Sequence, residues 1–280
     1  MDNEIKFTLK MGKEEYLLGQ PAIAYLSLIN NTDQTISLIN SFDPKYDFVK
    51  FVIEQNENVT QFIPYSMVDA VPKTMKLDPG KSIHGNAKIF YGSNGYTFPD
   101  PGVFKIKAVY HGLVYPSKVI ESNIIEVKVR APKDKEEEEQ VNLIKGEEQA
   151  LFLLFEGGDH LVNGIKNITE LAEKYPNTVL GAYANASLGI HLSKDFKDLI
   201  QNKIRKPDID SSNKYLSTAK DNVMGHWANS SYLALARNYD KSGIKEKRTN
   251  LLNEFVEKFK DDDKNIDGIR VAKKILQEEL

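Results

Sequence analysis

The sequence predicts a multidomain β-plus-α protein. An antiparallel β-sandwich over residues 1–131 is followed by a linker and helix start at 132–140 and an α-helical repeat domain over 141–280. Three observations predict this. Residues 1–131 carry short runs that alternate apolar and polar side chains, broken by Gly, Pro, Asn and Asp, which is the pattern of half-buried strands. Pro132 and the acidic run Glu136-Glu-Glu-Glu139 then mark a change of pattern. Beyond it an octapeptide recurs: Gly181-Ala-Tyr-Ala-Asn-Ala-Ser-Leu188 matches Gly225-His-Trp-Ala-Asn-Ser-Ser-Tyr232, and Gly268-Ile-Arg-Val-Ala-Lys-Lys-Ile275 keeps the glycine and two apolar positions.

The strands are taken in order. Ile5-Lys-Phe-Thr-Leu-Lys10 alternates, and Ala22-Ile-Ala-Tyr-Leu-Ser-Leu-Ile-Asn30 is a second strand closed by Asn30-Asn-Thr-Asp33. Strands follow near residues 35–38, at Phe48-Val-Lys-Phe-Val-Ile-Glu54, over residues 82–91, at Val103-Phe-Lys-Ile-Lys-Ala-Val-Tyr110 and over 120–130. Regular turn signals between short strands, with no long helical pattern, imply an antiparallel sandwich. The longer loops are residues 41–47, 55–73 and 92–100. Two turns carry a resemblance. Leu77-Asp-Pro-Gly80 and Pro101-Gly-Val-Phe-Lys-Ile-Lys-Ala108, with the opening Tyr16-Leu-Leu-Gly-Gln-Pro21, resemble bacterial immunoglobulin-like domains and the fold of the Bacillus intracellular proteinase inhibitor family. These motifs imply an Ig-like fold and no particular activity, because one fold hosts many functions.

In the second half, Pro132 stops the last strand. The Glu run suits the first turns of a helix, where carboxylates favour the positive end of the macrodipole. That helix is expected to continue to Phe155. Its apolar end, Leu151-Phe-Leu-Leu-Phe155, reads as buried on all sides and wedged between the domains. Gly157-Gly158 supplies a stop and Asp159 the next N-cap. Leu171-Ala-Glu-Lys-Tyr-Pro176, followed by the small residues Ala182, Ala184 and Gly189, resembles tetratricopeptide repeats of bacterial envelope proteins. Gly181, Gly225 and Gly268 lie 44 and 43 residues apart, longer than the usual ~34 of that family. The excess implies long loops or an extra short helix near residues 196–204. The resulting domain has about three helix pairs, with the polar stretch Lys273-Lys-Ile-Leu-Gln-Glu-Glu-Leu280 as a terminal cap.

Composition limits the function. The net charge of −3 argues against nucleic acid or an anionic membrane surface as the main partner. The longest apolar run, Ala150-Leu-Phe-Leu-Leu-Phe155, is far short of the ~18 residues that span a bilayer. There is no cysteine, which excludes disulfides, thiolate chemistry and Cys-based metal sites. Met1-Asp-Asn-Glu-Ile-Lys6 is not a signal peptide. The expected location is therefore extracytoplasmic if a leader has been removed, and cytoplasmic otherwise.

The motifs that could carry chemistry are weak. Asp159-His160, His191 and His226 show no helical ligand spacing, so caps and packing are expected of them rather than zinc. Asp261-Asp-Asp-Lys-Asn-Ile-Asp267 resembles the first half of a calcium loop but has Ile266 at the glycine position and Ala272 at the glutamate position. Gly157-Gly158-Asp159 could cradle an anion, but Asp159 would repel it. The basic segment Lys203-Ile-Arg-Lys206 reads as a solvated loop. Phosphate-loop, dinucleotide and nucleophile-elbow motifs are missing from the sequence, so no enzyme activity, cofactor or metal is predicted.

The expected function is binding or scaffolding of another protein or peptide on a composite surface of the two domains. The recurring Tyr183 and Trp227, beside Asn185 and Asn229, are the expected anchors of a groove, with inter-repeat packing as the alternative. Tyr96, in the loop over residues 92–100, would either meet a glycan or peptide or cover one end of the sandwich. A carbohydrate-recognition or proteinase-inhibitor role of the β-domain is the second expectation, and a hydrolase without a recognisable motif the third. The oligomeric state is open.

Overall fold

The computed structural model describes residues 4–198 and 202–278. Strands fill the N-terminal half and helices the C-terminal half. The chain divides into two compact units, Met1–Ala131 and Pro132–Leu280.

The first unit is built from β1 (Ile5–Met11), β2 (Glu15–Leu17), β3 (Ile23–Asn30), β4 (Ile36–Ile39), β5 (Val49–Gln55), β6 (Asn58–Gln61), β7 (Thr74–Leu77), β8 (Ser82–Lys88), β9 (Tyr91–Gly92), β10 (Gly95–Tyr96), β11 (Gly102–Tyr110), β12 (Leu113–Tyr115), β13 (Ile120–Glu121) and β14 (Ile125–Arg130). One sheet has the order β1-β3-β8, a second β2-β14-β11-β5-β6, and a third β12-β4-β7. Pairing is antiparallel except between β2 and β14. Alternation decides which face is buried. Ile5, Phe7, Leu9 and Met11 of β1 point inward, and so do Phe104, Ile106, Ala108 and Tyr110 of β11. The two inward faces share one core, because the Phe7 and Tyr110 rings lie 5.7 Å apart and Phe42 packs 5.3 Å from Tyr110. Asn30 is fully buried and its amide donates to the Gln34 and Leu77 carbonyls, which closes the turn after β3. Residues 82–91, expected as one strand, break after Lys88. The chain then turns into the short β9–β10 hairpin.

The second unit contains α1 (Lys135–Ile144), α2 (Glu147–Phe155), α3 (Val162–Lys174), α4 (Val179–Leu192), the hairpin β15 (Phe196–Asp198) and β16 (Lys203–Arg205), α5 (Ile209–Ala219), α6 (His226–Lys241), α7 (Lys245–Phe259) and α8 (Ile266–Gln277). Several local expectations are corrected. The helix expected to run unbroken to Phe155 stops at Ile144. Gly146 starts a new one at φ −140, and a Cβ there would meet the Gln149 side chain at 2.3 Å. Phe155 is half exposed rather than buried on all sides. The helix buried all round is α4, with Leu180 through His191 inaccessible. The insertion expected as a short helix is the β15–β16 hairpin, approached from the far side by Asn202 at φ 49. Residues 199–201 of that insertion and 279–280 of the terminal cap lie outside the described residues. Asp159 does not cap α3, whose N-cap is Leu161. The Glu148 carboxylate of α2 instead accepts the Gly164 N–H at 2.8 Å, and that bond holds its pKa below the ordinary range. Thr178 caps α4 by accepting the Gly181 N–H at 3.2 Å.

Candidate functional site

The expected groove anchors lie in the helical core. Tyr183 and Trp227 are 4% and 1% exposed, with rings edge to face 5.7 Å apart, so α4 and α6 meet through them. Asn185 is buried and donates to the Gly181 and Ala172 carbonyls. Asn229 is buried against Gly268 of α8, where a Cβ would come within 2.5 Å of its amide. These four side chains set the spacing between repeats and present nothing to a peptide. The expectation that they line a groove is corrected for this reason.

The histidines gather in a polar cluster that their sequence spacing did not reveal. Asp159 lies 2.9 Å from the His191 ring, and both its oxygens accept the Arg205 Nε–H at 3.0 Å. Arg205 also donates to the His191 carbonyl at 3.1 Å. Phe196 packs on His160 and His191, and Phe152 packs on His191. Nearby, the His226 ring lies 2.6 Å from the Glu156 carboxylate. The basic segment read as a solvated loop therefore forms β16, whose arginine ties the hairpin to the turn before α3. A guanidinium already fills the charge demand of Asp159. Among the described residues, no group of three or more His, Asp or Glu side chains is arranged to hold a metal ion. The Asp262 carboxylate of the calcium-like stretch is likewise spent locally, accepting from Lys264 N–H and the Asn265 amide.

This cluster has a pH signature. Burial first, and then the Arg205 charge, push the His191 imidazole down to about 4, with Asp159 opposing and Lys194 reinforcing the shift. In the unfolded chain the ring returns to roughly 6.5, so the unfolded state takes up its proton first as the pH falls. The stability carried by neutral His191 is present above that value and is lost as the pH drops toward 4. The expected loss is on the order of 2 kcal/mol. Urea unfolding between pH 7 and 4 measures it, and His191→Gln should flatten that part of the profile.

Tyr96 occupies a different environment, the wall of a cleft. A cleft of about 250 Å³ lies in the first unit. One wall is the inner face of the second sheet, where Thr60 pairs with Ile53, Ile53 pairs with Ile106, and Phe104 lies two residues along β11 on the same face. The other is the β9–β10 hairpin, with Asn94, Tyr96 and Thr97. Gln55 and Asn58 border it at the β5–β6 turn. Among the described residues none that lines the cleft is charged. Tyr96 is half-buried and held edge to face on Tyr91, 5.1 Å away. The segment after β6 is fastened to the hairpin, because Ser93 donates its N–H to the Ile63 carbonyl at 2.9 Å and its hydroxyl to the Pro64 carbonyl at 2.8 Å. Gly92 permits this approach, since a Cβ there would fall 2.1 Å from the Ile63 oxygen.

The chain that passes along the cleft at Ile63 is apolar over a longer stretch. Val59, Ile63, Tyr65, Met67, Val68 and Val71 are all exposed, Val59 at 63% and Val71 at 72%. The sequence signal that could have found this site is the run of residues 58–72, which carries a single charge, Asp69, in a chain that is 28% charged. Treating residues 55–73 as a loop concealed it.

No known family model matches the chain, and no curated protein matches it either. Solved structures align over about half of it. A Pseudomonas fluorescens alkylpurine DNA glycosylase bound to DNA is 15% identical over 47% of this chain and 32% of its own, with a TM-score of 0.28. A β-glucosidase from Erythrobacter marinus is 12% identical over 45% of this chain and 15% of its own, at 0.26. The sporulation control protein Spo0M of Bacillus subtilis is 6% identical over 50% of this chain and 54% of its own, at 0.26. The chain thus spans between about a seventh and about half of these structures.

Proposed function

We propose that this is a non-enzymatic binding protein whose ligand is a segment of another protein, held in the cleft between the inner face of β5, β6 and β11 and the β9–β10 hairpin. One observation carries the reading. An uncharged cleft walled by Tyr96 and Phe104 is lined by Ile63, and the chain that continues from Ile63 carries a row of exposed apolar side chains, Tyr65, Met67, Val68 and Val71. A monomeric surface rarely carries such a row except where it meets a partner. A concave site with aromatic walls and few polar groups is the ordinary form of a binding site. The proposal rests on the N-terminal unit alone.

The finer architecture belongs to the same reading. The N-terminal unit is taken as an Ig-like β-sandwich, supported by the shared core around Phe7, Phe42 and Tyr110. The helical unit is taken as a tetratricopeptide-like solenoid. Its support is that the equivalent repeat residues Tyr183 and Trp227 meet each other. A second reading has one observation of its own. Gln55, Asn58, Thr60, Asn94 and Thr97 give the cleft amides and hydroxyls beside Tyr96, a chemistry that also suits the hydroxyls of a neutral glycan.

Panning a peptide display library and a glycan array on the full chain separates the two. Tyr96→Ala is expected to weaken the selected ligand by about 2 kcal/mol, roughly thirtyfold, with unchanged circular dichroism. Unaltered affinity would remove the cleft as the site.

A further inference from the structure

We propose that the cleft works by strand addition: an extended, uncharged segment of a partner protein pairs with the free edge of β6 and lowers one large side chain into the cleft. This rests on the binding reading above and names its partner and geometry.

The backbone phase of β6 supplies the first argument. The β5–β6 turn has Asn56 and Glu57 at φ 49 and 68, the pair of left-handed residues a two-residue hairpin turn requires. Gln55 faces Asn58, Ile53 faces Thr60, and the Phe62 N–H donates to the Phe51 carbonyl at 2.9 Å. In an antiparallel ladder the bonded pairs alternate. Residues 58, 60 and 62 therefore exchange bonds with β5, and Val59 and Gln61 turn their N–H and C=O groups outward. β6 ends its sheet, and no backbone partner on that side is found among the described residues.

Native sheets guard such edges with lysine, proline, bulges or a cover. The guard is visible elsewhere in this unit, where the Asn123 side-chain amide takes both the N–H and the C=O of Leu9 on the edge of β1. β6 has no such guard. Asn58-Val-Thr-Gln61 has no charge and no proline, and all four residues are exposed. Only an extended polypeptide presents donors and acceptors at the spacing of a strand edge, which selects a peptide over a sugar.

The cleft selects the partner's side chain. Successive residues of an added strand alternate between faces. One of them comes to the face of Thr60, over the 250 Å³ between Phe104 and Tyr96. Burying a charge against this neutral lining is costly, so that side chain is large and uncharged. A second copy of this chain fits poorly, because its own β6 would bring only Asn58 or Thr60 to that face, and neither fills the space.

The experiment is amide hydrogen exchange on the full-length protein with a peptide selected from the display library. The Val59 and Gln61 amides are expected to slow at least roughly tenfold on binding. Gln61→Pro, which removes an outward N–H and no bond to β5, should weaken the peptide by at least roughly tenfold while calorimetry shows an unchanged melting temperature. Val59→Lys, which adds a charge on the edge and leaves the backbone intact, is the second variant. If Tyr96→Ala weakens the peptide but Val59 and Gln61 stay unprotected and Gln61→Pro binds normally, strand addition is overturned and the cleft stands. If no selected peptide responds to Tyr96→Ala, both readings fall. A dimer in sedimentation that Gln61→Pro dissolves overturns the partner in favour of a second copy.

Discussion

Trp227→Ala should unfold the helical unit early and leave ligand binding in the β unit alone. Trp227 is 1% exposed on α6, with its ring edge to face against Tyr183 of α4 at 5.7 Å and His226 at 5.9 Å. Truncating a fully buried tryptophan removes its transfer free energy and leaves a cavity that the neighbours close only in part. The usual cost is about 3–5 kcal/mol. In a unit of this size that lowers the melting temperature by roughly 10 °C. Differential scanning calorimetry reads the effect. The opposite outcome is informative: a Trp227→Ala protein with an unchanged transition and a lost partner would return Trp227 to a groove and displace the cleft at Tyr96. Tyr183→Ala should behave in the same way, and the double substitution should cost less than the two single ones added, because both empty the same space.

The mistaken reading of Trp227 shows how far a repeat can be read from sequence. Recurrence of Tyr183 and Trp227 with the following Ala-Asn gave the repeat, and the structure brings the two rings together. Recurrence does not say which way an equivalent residue points. For Tyr183 the missing signal was present in α4, whose residues Val179 through Leu192 include no Lys, Arg, Asp or Glu. A helix without a charged face has no solvent face, so whatever aromatic it carries is core.

The strands were legible because period-2 alternation is a local code, as in Ile5-Lys-Phe-Thr-Leu of β1. The candidate cleft was legible only through Tyr96. Thr60, Phe104 and Asn94 are scattered in sequence; sheet register brings the first two to one face, and the separate β9–β10 hairpin brings Asn94 to the cleft. The Asp159–Arg205 pair spans 46 residues, which no local pattern encodes. The break at Gly146 is marked in the sequence only by a lone glycine, because the apolar run after it continues the helical pattern.

Gly181→Ala should be destabilising by about 3 kcal/mol, although alanine is the better helix former by ~1 kcal/mol. Gly181 sits in the first turn of α4, and a Cβ there would fall 1.7 Å from the backbone oxygen of Tyr175 at the end of α3. That oxygen cannot retreat easily. It accepts the Thr178 N–H at 3.2 Å and the Thr178 hydroxyl at 3.0 Å, and Tyr175 is itself fixed by its hydroxyl bond to Glu139 at 2.6 Å. The other two recurring glycines answer different demands. Gly225 precedes α6 at φ 56 and ψ −126, a conformation hostile to any Cβ. Gly268 faces the buried Asn229 side chain, with its Cγ and Oδ1 at 2.5 Å and its Cβ at 2.9 Å from an added Cβ, so relief requires that side chain to move but no backbone atom. The expected order of damage is therefore Gly181→Ala, then Gly225→Ala, then Gly268→Ala, measured as loss of melting temperature in the helical unit. If Gly181→Ala proved neutral or stabilising, α3 and α4 would not approach as closely as this backbone requires. The glycine shared by the repeats would then mark a common ancestry of sequence rather than a common packing constraint.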